Sequence, residues 1–213
     1  MPVLKGLHAR LITEQVKRVL KAKNYVYFDG NIPWNVNIIG VRASDRLADS
    51  FDDTILVLYR NKKGENEVFS TRITTDPSTY YLIDHPVNPS GTAILVPAQY
   101  RGVYKVDIHA KNNPSFAHEA LCQRNGPVQV YRDNNRDHIL DHDPDSVEQG
   151  WFGINIHQAK SGETRYVGSY SAGCQVFKNS TEFKKFLEII KRSRDSLGNS
   201  FTYTLLEESD FED

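Results

Sequence analysis

Two residues of this chain have the types and spacing for nucleophilic chemistry. His157 ends the segment Gly153-Ile-Asn-Ile-His157, thirteen residues follow, and Ser171-Ala-Gly-Cys174-Gln-Val-Phe177 opens the next β-rich run. A cysteine nucleophile needs an imidazole within hydrogen-bond reach to take the thiol proton, and backbone N–H groups aimed at the oxyanion that develops on attack. A turn of Ser171, Ala172 and Gly173 offers such N–H groups with little side-chain obstruction, and its glycine is expected to let substrate come close to the backbone. The competing reading makes Cys174 a small buried hydrophobe and His157 a satisfied strand-end histidine. Cys122, flanked by apolar residues in Glu119-Ala-Leu-Cys-Gln123, reads as structural.

The run from His157 to Ser171-x-Gly173-Cys174 resembles the signature of the L,D-transpeptidase (YkuD-like) catalytic domain, a His, a loop, then Ser/Thr-His-Gly-Cys. The β-rich pattern around it agrees with that family over residues 90–206. The resemblance implies a β-rich sandwich or barrel and a cysteine enzyme that cuts after the third residue of a peptidoglycan stem peptide, passing the acyl group to an amine or to water. On this sequence it implies Cys174 as nucleophile, His157 as general base, the Gln158 carbonyl as holder of the imidazole tautomer, Gly173 and Cys174 N–H groups as oxyanion donors, and Ser171 as brace of the turn. Ala172 stands where the family has His, the loop is slightly shorter, and Gln175-Val176 replaces an apolar residue followed by Arg or Asn. His109, at the end of Gly102–Ile108, is the candidate for the missing imidazole, and His109, Arg101 and Gln175 are the expected substrate contacts. Arg101, Arg132 or Arg165 would grip a substrate carboxylate, because guanidinium pairs bidentately with that group. The stretches Asn37–Arg42 and Gly91–Leu95 resemble a phage-encoded version of such an enzyme.

A second polar constellation is Asp133, Asn135, Asp137 and Asp141, oxygen side chains at positions 1, 3, 5 and 9 of a calcium-loop pattern. His138 occupies position 6 in place of Gly and Pro144 position 12 in place of Glu, so a solvated acidic turn is the favoured reading and calcium the alternative. No cofactor is required by the expected chemistry. Zinc held by His109, His157 and Asp143 or Asp145 has no ligand-spacing motif behind it. His8, His85, His118, His138 and His142 lie in polar contexts and are expected to be solvated.

The elements that would position these groups are mostly short strands. Val36–Val41, Thr54–Tyr59, Val68–Thr74, Thr92–Val96, Gly102–Ile108, Val128–Tyr131, Trp151–His157 and Cys174–Phe177 are β-rich runs bounded by turn residues. Asn61-Lys-Lys-Gly64 predicts a hairpin, and residues 84–91 a surface loop. Thr13 is expected to cap a helix reaching Lys23. Asn179-Ser-Thr181 opens a second helix with Phe183, Phe186, Leu187 and Ile190 at i, i+3, i+4 and i+7. Phe201–Leu206 would close the sheet and 207–213 would fray. The expected fold is mainly β, a sandwich or barrel of L,D-transpeptidase type with one N-terminal and one C-terminal helix. A boundary near 84–91 would separate 1–90, a helix plus strands either distinct from or continuous with the rest, from the transpeptidase-like region 91–213.

With 26 Lys plus Arg against 27 Asp plus Glu, the net charge is −1, and the basic residues are scattered without aromatic platforms, so nucleic acid is not an expected partner. No stretch has the roughly 18 apolar residues of a membrane span, and the N-terminus lacks the apolar core of a secretory signal. The expected protein is therefore made in the cytoplasm and acts at the cell wall through a phage virion or a membrane lesion. Peptidoglycan is its expected partner, with virion proteins a second class. The expected function is cysteine-dependent acyl transfer or hydrolysis on stem peptides, of transpeptidase, L,D-carboxypeptidase or endopeptidase type. The alternative is a non-catalytic virion structural or wall-binding protein that retains the fold.

Overall fold

The run Thr54-Ile-Leu-Val-Leu58 is apolar without alternation because both of its faces are buried: Ile55 and Val57 point into the main core, Leu56 and Leu58 into a second apolar layer. A computed structural model describes residues 9–30 and 32–212. Its elements are α1 (Ala9–Ala22), β1 (Asn37–Arg42), β2 (Asp53–Arg60), β3 (Asn66–Thr74), β4 (Thr92–Leu95), β5 (Gln99–His109), β6 (His118–Gln123), β7 (Val128–Asp133), β8 (Glu148–Gly150), β9 (Ile156–Gln158), β10 (Gln175–Phe177), α2 (Ser180–Leu197) and β11 (Phe201–Glu207). The chain is mainly β, with one N-terminal and one C-terminal α-helix.

Eight strands close into a barrel in the order β1-β11-β5-β6-β9-β10-β3-β2, and β4-β7-β8 form a separate sheet. The barrel draws β1, β2 and β3 from before residue 90 and its other five strands from after it, so both sides of the expected boundary share one closed sheet. The pairs β1–β11 and β9–β10 are parallel and the remaining barrel pairs antiparallel. Inside, Ile38, Ile55, Ile73, Val106, Leu121, Ile156, Phe177 and Leu205 join one core, to which β4 and β7 add Leu95 and Val130 and α2 adds Phe183, Phe186, Leu187 and Ile190. Outside, α1 lays Ile12, Val16, Val19 and Leu20 against Ile39, Val41, Leu56, Leu58 and Leu206.

Several local expectations change. Thr13 is not a cap: it sits inside α1, its hydroxyl donating to the Ala9 carbonyl one turn back at 2.8 Å. Asn179 does cap α2, accepting from the N–H groups of Thr181 and Glu182. Residues 207–211 do not fray into solvent, because Phe211 is buried against the α1 layer and a capping box between Glu207 and Asp210 closes the last turn. Strand β6 was not expected, since Glu-Ala-Leu-Cys has neither period 2 nor β-branched residues. The expected strand Trp151–His157 shrinks to β9. His8 lies outside the described residues.

A buried ion pair ties β1 to the segment after β3. Arg42 is 1% exposed, and its Nε contacts Asp76 Oδ1 at 2.9 Å and donates to Thr75 Oγ1 at 3.0 Å. Stripping water from both charges is costly, and removing one partner leaves the other uncompensated. Arg42→Met is therefore expected to cost about 3–5 kcal/mol of stability, read by urea denaturation followed by circular dichroism. A loss within 1 kcal/mol of zero would contradict the role assigned to the pair.

Candidate active site

Register arithmetic brings the chemistry to one face. In β5–β6, His109 pairs with His118 and Val106 with Leu121, while Leu121 pairs with Ile156 of β9. Side chains alternate along a strand, so with Val106, Leu121 and Ile156 facing the core, His109, His118 and His157 share the opposite face. In the parallel β9–β10 pair, Gln175 lies beside Ile156 and Val176 beside His157, which puts Gln175 on the core side and Cys174 on the histidine side. The three imidazoles cluster, His109 stacked on His157 with ring centroids 3.9 Å apart and His118 tilted against both at 5.3 Å from His109 and 5.8 Å from His157. They line a cavity of about 630 Å³ together with Cys174, Ala172 and Tyr81.

His157 is 3% exposed. Its Nδ1 lies 2.8 Å from the Gln158 carbonyl, which can only accept, so the proton sits on Nδ1 and Nε2 carries the lone pair. Nε2 is buried with no hydrogen-bond partner among the described residues. Burial, then the neighbouring His109, hold the His157 imidazole well below the usual histidine range, so it is neutral. Cys174 is half-buried; its Sγ accepts from the Asn155 N–H at 3.4 Å and donates to the Gly153 carbonyl at 3.5 Å. Burial pushes its thiol up to about 11 against the relief of the Asn155 N–H, so the resting pair is a neutral thiol and a neutral imidazole.

The turn before Cys174 is held from behind. Ser171 is fully buried; its Oγ accepts from the Gly173 N–H at 3.2 Å and lies 2.8 Å from the carbonyls of both Asp76 and Cys174. Gly173 has φ +117°, and a Cβ there would strike the Ala93 carbonyl of β4. Its lack of a side chain therefore serves close packing of two backbones instead of substrate approach, and its N–H is occupied by Ser171. The N–H groups of Ala172 and Cys174 have no partner among the described residues and are the candidate oxyanion donors of this turn.

Two residues that sequence reasoning missed hold the other wall. Gln123, 2% exposed, accepts from the Gly153 and Ile154 N–H groups and donates to the Gly126 and Gly150 carbonyls. Its side chain replaces a strand partner, and Gly153 at φ +72° turns the chain, which is why residues 151–155 are not strand. Asn155, 5% exposed, accepts from the Gln123 N–H and places its amide 3.0 Å from His109 Nδ1. The available signal was Asn155, a polar residue between two isoleucines just before His157; Gln123 carried none. His118 was expected to be solvated; it is half-buried, its Nδ1 bonded to the Phe116 carbonyl at 2.7 Å and its Nε2 without a partner among the described residues. His142 likewise stacks on Tyr131 at 5.2 Å, and burial pushes it down to about 4.

Other expected contacts lie elsewhere. Gln175 points into the barrel, accepting from Tyr203 Oη at 2.8 Å and donating to the Thr75 and Gly173 carbonyls, so it is a core residue and not a substrate contact. Arg101, eight residues before His109 on β5, lines a different cavity with Phe28 and Ser193. Arg132 is tied to Glu148 and the Gly91 carbonyl and covers the Phe152 ring, and Arg165 sits over Tyr166. Lys160 is the charged residue that does line the histidine cavity. In the acidic run, the Asp133 carboxylate accepts from the Asp141 N–H, Asn135 turns its amide nitrogen toward Asp137 and Asp141, and Asp137 accepts from Ile139. These side chains serve turn hydrogen bonds, with a donor at the centre where a cation would need oxygen. Asp143 caps the turn at Pro144–Ser146. Among the described residues no group of three His, Cys, Asp or Glu side chains is arranged to hold a metal ion, and no helix is long and apolar enough to cross a membrane.

No protein-family model matches the chain, and neither a curated protein nor a solved structure matches it.

The raised thiol predicts a distinct reactivity profile. Alkylation of Cys174 by iodoacetamide in the folded protein, mapped by peptide mass spectrometry, should rise about tenfold per pH unit toward a midpoint near 11, since the thiolate is the reacting form. A midpoint at or below 9 would contradict the burial argument.

Proposed function

We propose that the protein is a cysteine-dependent acyltransferase or hydrolase acting on peptidoglycan stem peptides. The observation that carries this reading is the bare, buried Nε2 of a neutral His157, its tautomer set by the Gln158 carbonyl, on the same cavity as the Cys174 thiol. Cys174 lies beside Asn155 in the parallel pair, two strand positions from His157, a backbone separation of about 8 Å that two inclined side chains can span. Rotation of the thiol away from the Gly153 carbonyl would bring its proton to Nε2. The thiolate then attacks the stem-peptide carbonyl carbon, and the oxyanion is received by the Cys174 N–H. Collapse breaks the amide bond, the leaving amine takes the proton from His157, and a thioester remains on Cys174. Water or a second amine, deprotonated by the same Nε2, releases it.

The choice of stem peptides rests on the motif from His157 to Cys174 and on the β-rich fold around it. Lys160, which lines the cavity, would meet a substrate carboxylate in place of the arginines expected from sequence. The second reading, a wall-binding protein without turnover, draws on the protonated resting thiol and on Ala172, which supplies no side-chain donor to the cavity.

Diaminopimelate-type peptidoglycan incubated with wild type should release D-Ala or opened cross-links detectable by mass spectrometry, and Cys174→Ala should abolish this without loss of fold. Absence of any change with wild type, in a protein that still sediments with the wall, would favour the second reading. Because His157 is held neutral, kcat/KM should stay level as pH falls through 6.5 and decline only well below it. An acid limb at 6.5 or above would contradict His157 as the base.

A further inference from the structure

Asn155 touches both halves of the site. Its backbone N–H meets Cys174 Sγ at 3.4 Å and its carbonyl accepts from the Gln175 N–H at 2.9 Å, so it is locked into the β9–β10 pairing beside the nucleophile. Its side-chain orientation is equally fixed: the atom receiving the Gln123 N–H at 2.9 Å must be the oxygen, which leaves the NH2 group facing His109 Nδ1 at 3.0 Å. An amide NH2 only donates, so Nδ1 of His109 carries the lone pair. Burial, then His118 and Arg124, push His109 down to about 4 and keep it neutral, so its single proton is on Nε2. His157 is fixed in the opposite tautomer by the Gln158 carbonyl. Two imidazoles stacked 3.9 Å apart and 16° from parallel beside one cavity are therefore held in opposite tautomers, an acceptor at Nε2 of His157 and a donor at Nε2 of His109.

A side-chain donor is what the nucleophile turn lacks. The Gly173 N–H is occupied by Ser171 Oγ and Ala172 has no polar side chain, so the turn is left with the backbone N–H groups of Ala172 and Cys174, which have no partner among the described residues. We propose that Asn155 is a positioning residue that fixes His109 as an Nε2–H donor, and that this N–H binds the carbonyl oxygen of the acyl group while Cys174 attacks it. No proton is transferred by His109; it supplies a hydrogen bond that strengthens as negative charge develops on that oxygen. The inference rests on Cys174 as nucleophile but not on peptidoglycan as substrate.

The test uses the full chain and an activated ester, p-nitrophenyl acetate, so that failure on peptidoglycan and failure here are separable. In ¹⁵N-histidine NMR, wild type should show His109 as Nε2–H and His157 as Nδ1–H. Asn155→Asp keeps an acceptor for Gln123 but presents a carboxylate to His109, and should move the His109 proton to Nδ1. Acetylation of Cys174, followed by nitrophenolate release and intact mass, should slow about 10²-fold in Asn155→Asp and in His109→Ala. His109→Gln, which retains an N–H donor, should lose less than tenfold. A wild-type His109 in the Nδ1–H form, a tautomer change with acetylation slowed less than threefold, equal loss in His109→Gln and His109→Ala, or a wild type that is not acetylated would each overturn the proposal.

Discussion

Parallel pairing of β9 with β10 is the constraint on which the site depends. Strands paired this way run in the same direction, so the chain must leave β9, cross through residues 159–173 and return to the same end of the sheet. The return sets Cys174 beside Asn155 and two positions from His157, on the face opposite the core. A one-residue slip would turn Cys174 inward and Gln175 outward, exchanging the thiol for the amide that now bonds Tyr203 inside the barrel. The register is pinned where slippage would begin, by Ser171 bonded across to Asp76 and by Gly173 pressed on the Ala93 carbonyl.

The supports of the site are buried, uncharged and fully bonded. Gln123 uses both ends of its amide on four backbone groups, and Asn155 uses its amide on Gln123 and His109 while its main chain serves the thiol and β10. Such networks cost little when every group is paired and hold a single geometry because each alternative leaves one unpaired. Low dielectric around them also explains the ionisation state, raising the thiol and lowering the imidazoles together. The resting site is accordingly a neutral thiol beside a neutral imidazole.

The parts of this arrangement that sequence reveals are the local ones. The hairpin at Asn61–Gly64, the Asn179-capped helix and the strand ending in His109 are written in turn chemistry and periodicity, which need no knowledge of partners. Strand β6 was hidden because its residues are placed by β5 and β9 rather than by intrinsic preference. The segment 151–155 looks β-rich yet takes its hydrogen bonds from one glutamine side chain, a non-local effect. Face assignment failed at Gln175 and distance along a strand at Arg101, because both depend on register. His118 joined the cavity for the same reason: its polar neighbours in sequence are not its neighbours across β5 and β9. At the C-terminus, Phe211 was the residue whose burial outweighed the acidic character of the tail.

The central claim is that Cys174, served by His157, becomes covalently acylated. The direct measurement is acid quenching of the protein within its first turnovers on a tetrapeptide stem ending in D-Ala, followed by intact-mass and peptide-mapping mass spectrometry. The account predicts an adduct of the tripeptide acyl group on Cys174, removed by hydroxylamine as a thioester is, and absent in Cys174→Ala and strongly reduced in His157→Ala. Release of D-Ala without any adduct on Cys174, or an adduct carried equally well by His157→Ala, would contradict it.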